Sequence, residues 1–115
     1  MATKEQNFEI WAGDYREITF VVEDVESLVG LTVNWFLAPS VKAEPLVYKE
    51  SPEGISVKGN SFTVTLTSGD TKGLGHGSYY HEAVMADDEG KAITVAIGKA
   101  VINPSLKNKG VSELD

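Results

Sequence analysis

The feature that most constrains this chain is a hydrophobic repeat of two. In "SFTVTLT", Ser61 to Thr67, the apolar Phe62, Val64 and Leu66 alternate with a serine and three threonines. Successive side chains of an extended strand point to opposite faces, so this spacing builds one apolar face and one polar face. The same period recurs at Ile18, Phe20 and Val22 within Glu17 to Glu23, and at Leu31, Val33, Trp35 and Leu37 within "LTVNWFLA". Pro39 closes that last run, because proline cannot donate to a strand ladder. No window of a dozen residues sustains the i, i+3, i+4, i+7 spacing of an amphipathic helix.

Further strands are expected at Asn7 to Trp11, at Leu46 to Tyr48 on an edge, at Ile55 to Lys58, at Ser78 to Ala86 and at Ala92 to Asn103. Turn residues separate them: Ala12-Gly13-Asp14, Asp24-Val25-Glu26-Ser27, the Gly59-Asn60 hairpin and Asp87-Asp88-Glu89-Gly90. In the Gly-rich crossing from Ser68 to Gly77, Asp70-Thr71 is expected to begin a turn or short helical turn, and Leu74 to enter the core. Gly98, in the middle of the last strand, predicts a bulge or bend. Seven or eight short strands with almost no helix predict an all-β, antiparallel, Ig-like β-sandwich. At 115 residues the chain reads as a single domain, long enough to bury roughly two-thirds of its unfolded surface. Trp35, Phe20, Phe62, Leu66, Leu74 and Tyr79 are the expected core.

Charge and composition exclude several function classes. The net charge is −7 and Arg16 is the only arginine, so no basic cluster exists to neutralise phosphates on nucleic acid or an anionic membrane. No apolar run approaches the ~18 residues that a spanning helix needs. The absence of cysteine removes disulfides, thiolate nucleophiles and Cys-ligated zinc. With a polar N-terminus that lacks a signal-peptide core, it leads to the expectation of a protein made and used without secretion.

One stretch invites a chemical reading. "GHGSYYHE", Gly75 to Glu82, holds both histidines, with a carboxylate beside the second. Zinc needs three or four converging ligands, and here there is no third histidine. Acid–base chemistry by His81 with Glu82 conflicts with strand geometry, since adjacent residues point to opposite faces. The glycines resemble a phosphate cradle only superficially, because a strand follows where a helix N-terminus would be required. The stretch is expected to be a corner leading into a strand, with Tyr79 packing as in the tyrosine corner of sandwich folds. Tyr79, His81, Ala83 and Met85 share one face of that strand, and Tyr80, Glu82, Val84 and Ala86 the other. Asp87, Asp88 and Glu89 lack the spacing of a calcium loop and read as an acidic turn. No catalytic, cofactor or metal residues are assigned.

The ordered features resemble a known group. They are Gly13-Asp14 with Ile18 to Val22, then Leu28 to Ala38, then Phe62 to Glu82, and finally Asp87 to Leu106. Over residues 8 to 106 this set is similar to small β-sandwich proteins of tailed-phage and prophage virions, including the N-terminal modules of baseplate upper proteins. The resemblance implies a non-enzymatic structural component, either a head decoration (cement) protein or a tail or baseplate accessory subunit. It would be assembled in the bacterial host cytoplasm into the virion. Its partners would be major capsid or tail and baseplate subunits and other copies of itself, without direct nucleic-acid or membrane contact. Phe36, Tyr80 and Val84, apolar on outward faces, are the expected contact residues. Residues 1–7 and 107–115 are expected to be polar arms that order on neighbouring subunits. The alternative from a different class is a small-ligand or carbohydrate-binding sandwich, with Trp11, Tyr15 and Tyr48 stacking on sugar rings.

Overall fold

The computed structural model describes residues 3–23 and 25–106. Among these the chain forms nine strands and one short helix. In order they are β1 (Lys4–Glu5), β2 (Phe8–Trp11), β3 (Arg16–Val21), β4 (Thr32–Ala38), β5 (Val47–Glu50), β6 (Ile55–Lys58), β7 (Ser61–Leu66), α1 (Ser68–Lys72), β8 (Gly77–Ala86) and β9 (Ala92–Asn103). The strands make two sheets, so the fold is the expected all-β, Ig-like sandwich. The larger sheet runs β1-β9-β8-β4-β5, with β2 also paired to β9; the smaller runs β3-β7-β6.

The strand beyond the expected eight is β1. Lys4 and Glu5 are exposed, and backbone pairing places them on the sheet, parallel to β9 opposite Ala96 and Ile97. β2 is also parallel to β9, with Phe8 opposite Ala100 and Trp11 opposite Asn103, so the larger sheet is not purely antiparallel. From Thr3 onward, the residues expected as an N-terminal arm therefore lie along a sheet edge. The second expected arm, 107–115, lies outside the described residues, as does Asp24 of the expected turn.

Alternation fills the core from both sides. Phe62, Val64 and Leu66 of β7 are buried between half-buried neighbours, and Phe20 and Ile18 of β3, paired with Phe62 and Val64, are buried between exposed ones. Phe20 and Phe62 are register partners and stack with ring centroids 4.9 Å apart. Val33, Trp35 and Leu37 of β4 meet them from the larger sheet, each fully buried. Leu74 is buried as expected, but Tyr79 is not part of the buried core. It packs half-buried at the rim, where its hydroxyl donates to the Gly75 carbonyl at 2.6 Å.

Two local expectations move. The bulge predicted at Gly98 falls three residues earlier: the β8–β9 register passes from Ala83↔Ala96 to Val84↔Thr94, leaving Val95 as the extra residue. Val95 and Ala96 are consequently both buried. The helical turn begins at Thr67, ahead of Asp70-Thr71. Thr67 Oγ1 accepts the Asp70 amide and Asp70 Oδ2 accepts the Thr67 amide, a reciprocal cap. Asp70 also meets Lys49 Nζ at 2.7 Å, which ties α1 to the edge of the larger sheet. Partial burial alone would raise the Asp70 pKa, but Lys49 and the Thr67 amide outweigh it and hold the carboxyl below its ordinary value.

Candidate functional site

The three residues expected to face a partner lie on one surface, the outer face of the larger sheet. Strand register sets their arrangement. Phe36 of β4 lies between Tyr48 of β5 and Glu82 of β8, while Asn34 lies between Glu50 and Val84 in the next row. On the other side, Ala38 neighbours Tyr80, and Tyr80 neighbours Lys99 of β9. Phe36, Tyr80 and Val84 are half-buried and Tyr48 is exposed. The Phe36 and Tyr48 rings touch, with centroids 5.1 Å apart.

Each tyrosine of this face is fixed by a carboxylate two residues further along its own strand, on the same side by alternation. The Tyr80 hydroxyl donates to Glu82 Oε1 at 2.8 Å, and the Tyr48 hydroxyl to Glu50 Oε1 at 2.8 Å. Asn34 Oδ1 lies 2.7 Å from the same Tyr48 oxygen. Burial, and then the Glu82 carboxylate, push the Tyr80 phenol up to about 12. The hydrogen bond to Glu50 comes first for Tyr48, with burial and the like charge adding to it, and its pKa also rises. Among the described residues neither Glu50 nor Glu82 has a cation within salt-bridge distance. The β4–β5 connection arches over this face. Ser40, Val41, Ala43 and Pro45 form one wall of a groove of about 210 Å³, and Phe36, Tyr80 and Glu82 the other.

The opposite face of the same strands holds His81, which is fully buried. Trp35 Nε1–H is only a donor, so His81 Nδ1, at 3.3 Å, must accept its hydrogen bond. The other nitrogen, Nε2, therefore carries the hydrogen and donates to the Gln6 carbonyl at 2.6 Å. Burial lowers the pKa of the ring, and the Gln6 carbonyl acts the other way. Gly98 stands opposite His81 in the β8–β9 register, and a Cβ there would overlap the Gln6 carbonyl and sit 2.6 Å from Nε2. The glycine is explained by this close approach of the N-terminal strand rather than by a bulge.

"GHGSYYHE" is therefore a corner and a strand, as expected. His76 is exposed in the loop, and Glu82 faces away from His81. Both nitrogens of His81 are engaged in structure. Among the described residues no three histidine, aspartate or glutamate side chains converge as a metal site would require. Asp87 closes the β8–β9 hairpin, its Oδ1 accepting the amides of Glu89 and Lys91, each at 2.9 Å. Trp11, Tyr15 and Tyr48 are exposed, but Trp11 and Tyr48 are on opposite edges of the larger sheet with β9, β8 and β4 between them. At ~4.8 Å per strand they are too far apart to share one sugar-stacking platform.

Sequence reasoning named Phe36, Tyr80 and Val84, which share this face, but did not bring Tyr48, Glu50 and Asn34 to it. That grouping needs the strand order β5-β4-β8, which alternation alone does not supply. Gln6 was also missed, and the unexplained Gly98 was the only available signal of its approach.

No protein-family model matches the chain, and no curated protein matches it. Among solved structures it is similar to the fibronectin(III)-like modules of CbhA from Clostridium thermocellum. The TM-score is 0.49 at 10% identity, covering 91% of this chain and 93% of that one.

Proposed function

We propose that this chain is a non-enzymatic structural subunit of a tailed-phage virion, a head decoration or a tail or baseplate accessory protein, which works by docking against other proteins. The observation that carries the docking role is the outer face of the larger sheet. Phe36, Tyr48 and Tyr80 form a half-exposed aromatic surface there, and Glu50 and Glu82 hold the two tyrosines in place. Aromatic side chains pre-positioned in this way supply contact area with little loss of rotamer freedom on binding. The ordered likeness over residues 8 to 106 supports the virion assignment. The non-enzymatic reading is supported by the engagement of His81 on both nitrogens and by the opposed directions of His81 and Glu82.

The test combines light scattering with binding to purified phage particles that lack this protein. The wild-type chain is expected to self-associate or to bind the particle, and Phe36→Asp to do neither while keeping its fold by circular dichroism. A chain that stays monomeric, binds no particle and instead retains a glycan on an array would favour the carbohydrate reading.

A further inference from the structure

We propose that residues 3–8 form a detachable strap, latched by His81, which opens in mild acid and uncovers the β9 edge while the rest of the sandwich stays folded. Three observations converge on this stretch. Its apolar attachment rests on one ring: Lys4, Glu5 and Asn7 are exposed and Gln6 is half-buried, while Phe8, also half-buried, packs against His81 and Trp35. The next residues inward are the opposite, with Ile10 and Ala12 at 0% and 3% exposure, so opening has a natural end point before Ile10.

Thr3 Oγ1 donates to Thr94 O and β1 pairs with β9, but the polar attachment is densest at one residue. Gln6 donates from its backbone N–H to Ile97 O at 2.9 Å and from its side chain to Thr19 O at 3.0 Å, and its carbonyl accepts a hydrogen bond from His81 Nε2–H. Because Gly98 has no side chain, that carbonyl can sit in the notch against the ring. Beside it, Asn7 Oδ1 replaces a strand partner by accepting the Lys99 amide at 2.8 Å. The strap is thus fastened to both sheets through Gln6, and the imidazole it rests on accepts from Trp35 only in its neutral form.

Protonation disturbs the ring on the side away from the strap. A second proton on the ring would go to Nδ1, which faces Trp35 Nε1–H, so two donors would then oppose each other. Only the Gln6 carbonyl offsets part of the charge, and burial outweighs it. The ring is packed by Phe8 of β2, Phe20 of β3, Trp35 of β4, the Gln6 carbonyl and Gly98 of β9, none of which titrates. On its own strand, Tyr80 and Glu82 face the other way.

The sign follows from linkage. Closed, the ring resists protonation; open, it meets water and regains its ordinary value of 6.5. Each pH unit below that value, down to the closed-state pKa, raises the opening constant by up to about tenfold. The freed edge of β9 around Ile97 to Lys99 would present unpaired backbone groups to another strand.

Native-state hydrogen exchange on the intact chain tests this, followed by NMR between pH 7.5 and 5 and corrected for intrinsic rates. The Gln6 and Lys99 amides are expected to open more as pH falls, in step with the His81 imidazole signal, while the Ala12 amide and those of β4 and β8 do not. Gln6 and Lys99 opening that is flat with pH, or that rises together with β4 and β8, would overturn the proposal. Two variants add independent readings. His81→Gln, with an uncharged donor and acceptor, is expected to flatten the pH dependence. Gly98→Ala is expected to leave Gln6 unprotected even at pH 7.5, and a Gln6 amide protected as in wild type would refute the notch. If either variant does not fold, the wild-type measurement still decides.

Discussion

The larger sheet carries an aromatic cluster on each face, and the two are held by different means. Inside, Trp35, Phe8 and Phe20 surround His81, with centroid separations of 5.0 to 5.9 Å from its ring. Outside, Phe36 lies against Tyr48, and the tyrosine hydroxyls are fixed by carboxylates. The inner polar groups come from distant parts of the chain: His81 meets Trp35 across 46 positions and Gln6 across 75. The outer pairs are two residues apart on one strand. What differs is access to water. A buried donor or acceptor must find a partner wherever the fold can bring one, whereas an exposed one can rely on its nearest same-face neighbour and on solvent.

The most direct way to break this comparison is to truncate neighbours on β4. Trp35→Ala removes a fully buried indole and leaves His81 Nδ1 without a donor, so a loss of about 3–5 kcal/mol is expected in urea unfolding. Phe36→Ala, one residue along but on the outer face, is expected to lose about 1 kcal/mol or less. Equal losses at the two positions would mean that the outer ring is structural rather than available for contact.

His81→Phe keeps a ring in the inner cluster but strands the Trp35 Nε1–H and the Gln6 carbonyl. Leaving buried polar groups unpaired is expected to lower stability by roughly 1–3 kcal/mol, between the two β4 truncations. Exchange data on the same variant would show whether the loss is local to the N-terminal strand. An unchanged urea midpoint would indicate that water reaches both groups.

The two faces also differ in how legible they were. In β7 the alternation was unambiguous, because threonines mark the outer side and large apolar residues the inner. In β8 both sides carry rings, and hydropathy alone would bury Tyr80 before His81. The chain does the reverse because His81 finds two partners in the interior, and neither is visible from local sequence. Phe36 could be placed outside by parity with Trp35, whereas alternation did not say which face of β8 was core, and Tyr48 could not join the group without knowledge of strand order. β1 carried no signal, since Lys4 and Glu5 are exposed and join the sheet through backbone pairing, which is indifferent to side-chain type. Gly98 gave a true sign with the wrong local reading. A glycine in a strand can mark a bulge or a close backbone approach. The bulge itself left no distinct mark, since Val95-Ala96-Ile97 and Ala100-Val101-Ile102 are similar apolar runs in the same strand.

The finest test of the outer face is Tyr80→Phe, which removes one oxygen and leaves the ring. At neutral pH the hydroxyl's bond to Glu82 is only partly buried, so the loss is expected to be about 0.5 kcal/mol or less. The alkaline behaviour is more informative. The phenol ionises at about 12 in the folded chain against 10.0 as its ordinary value, so the folded state keeps this proton after the unfolded state has lost it. The stability linked to that proton is complete below pH 10 and declines as pH rises from 10 toward 12. Wild type should therefore lose stability across this window more steeply than Tyr80→Phe, and phenolate absorbance should show its last ionising tyrosine missing from the variant. If the two proteins follow the same alkaline curve, Glu82 does not hold the Tyr80 hydroxyl in solution. The ring would then be free to turn, and the outer face would have to order itself on binding, at an entropic cost that its inner counterpart has already met in folding.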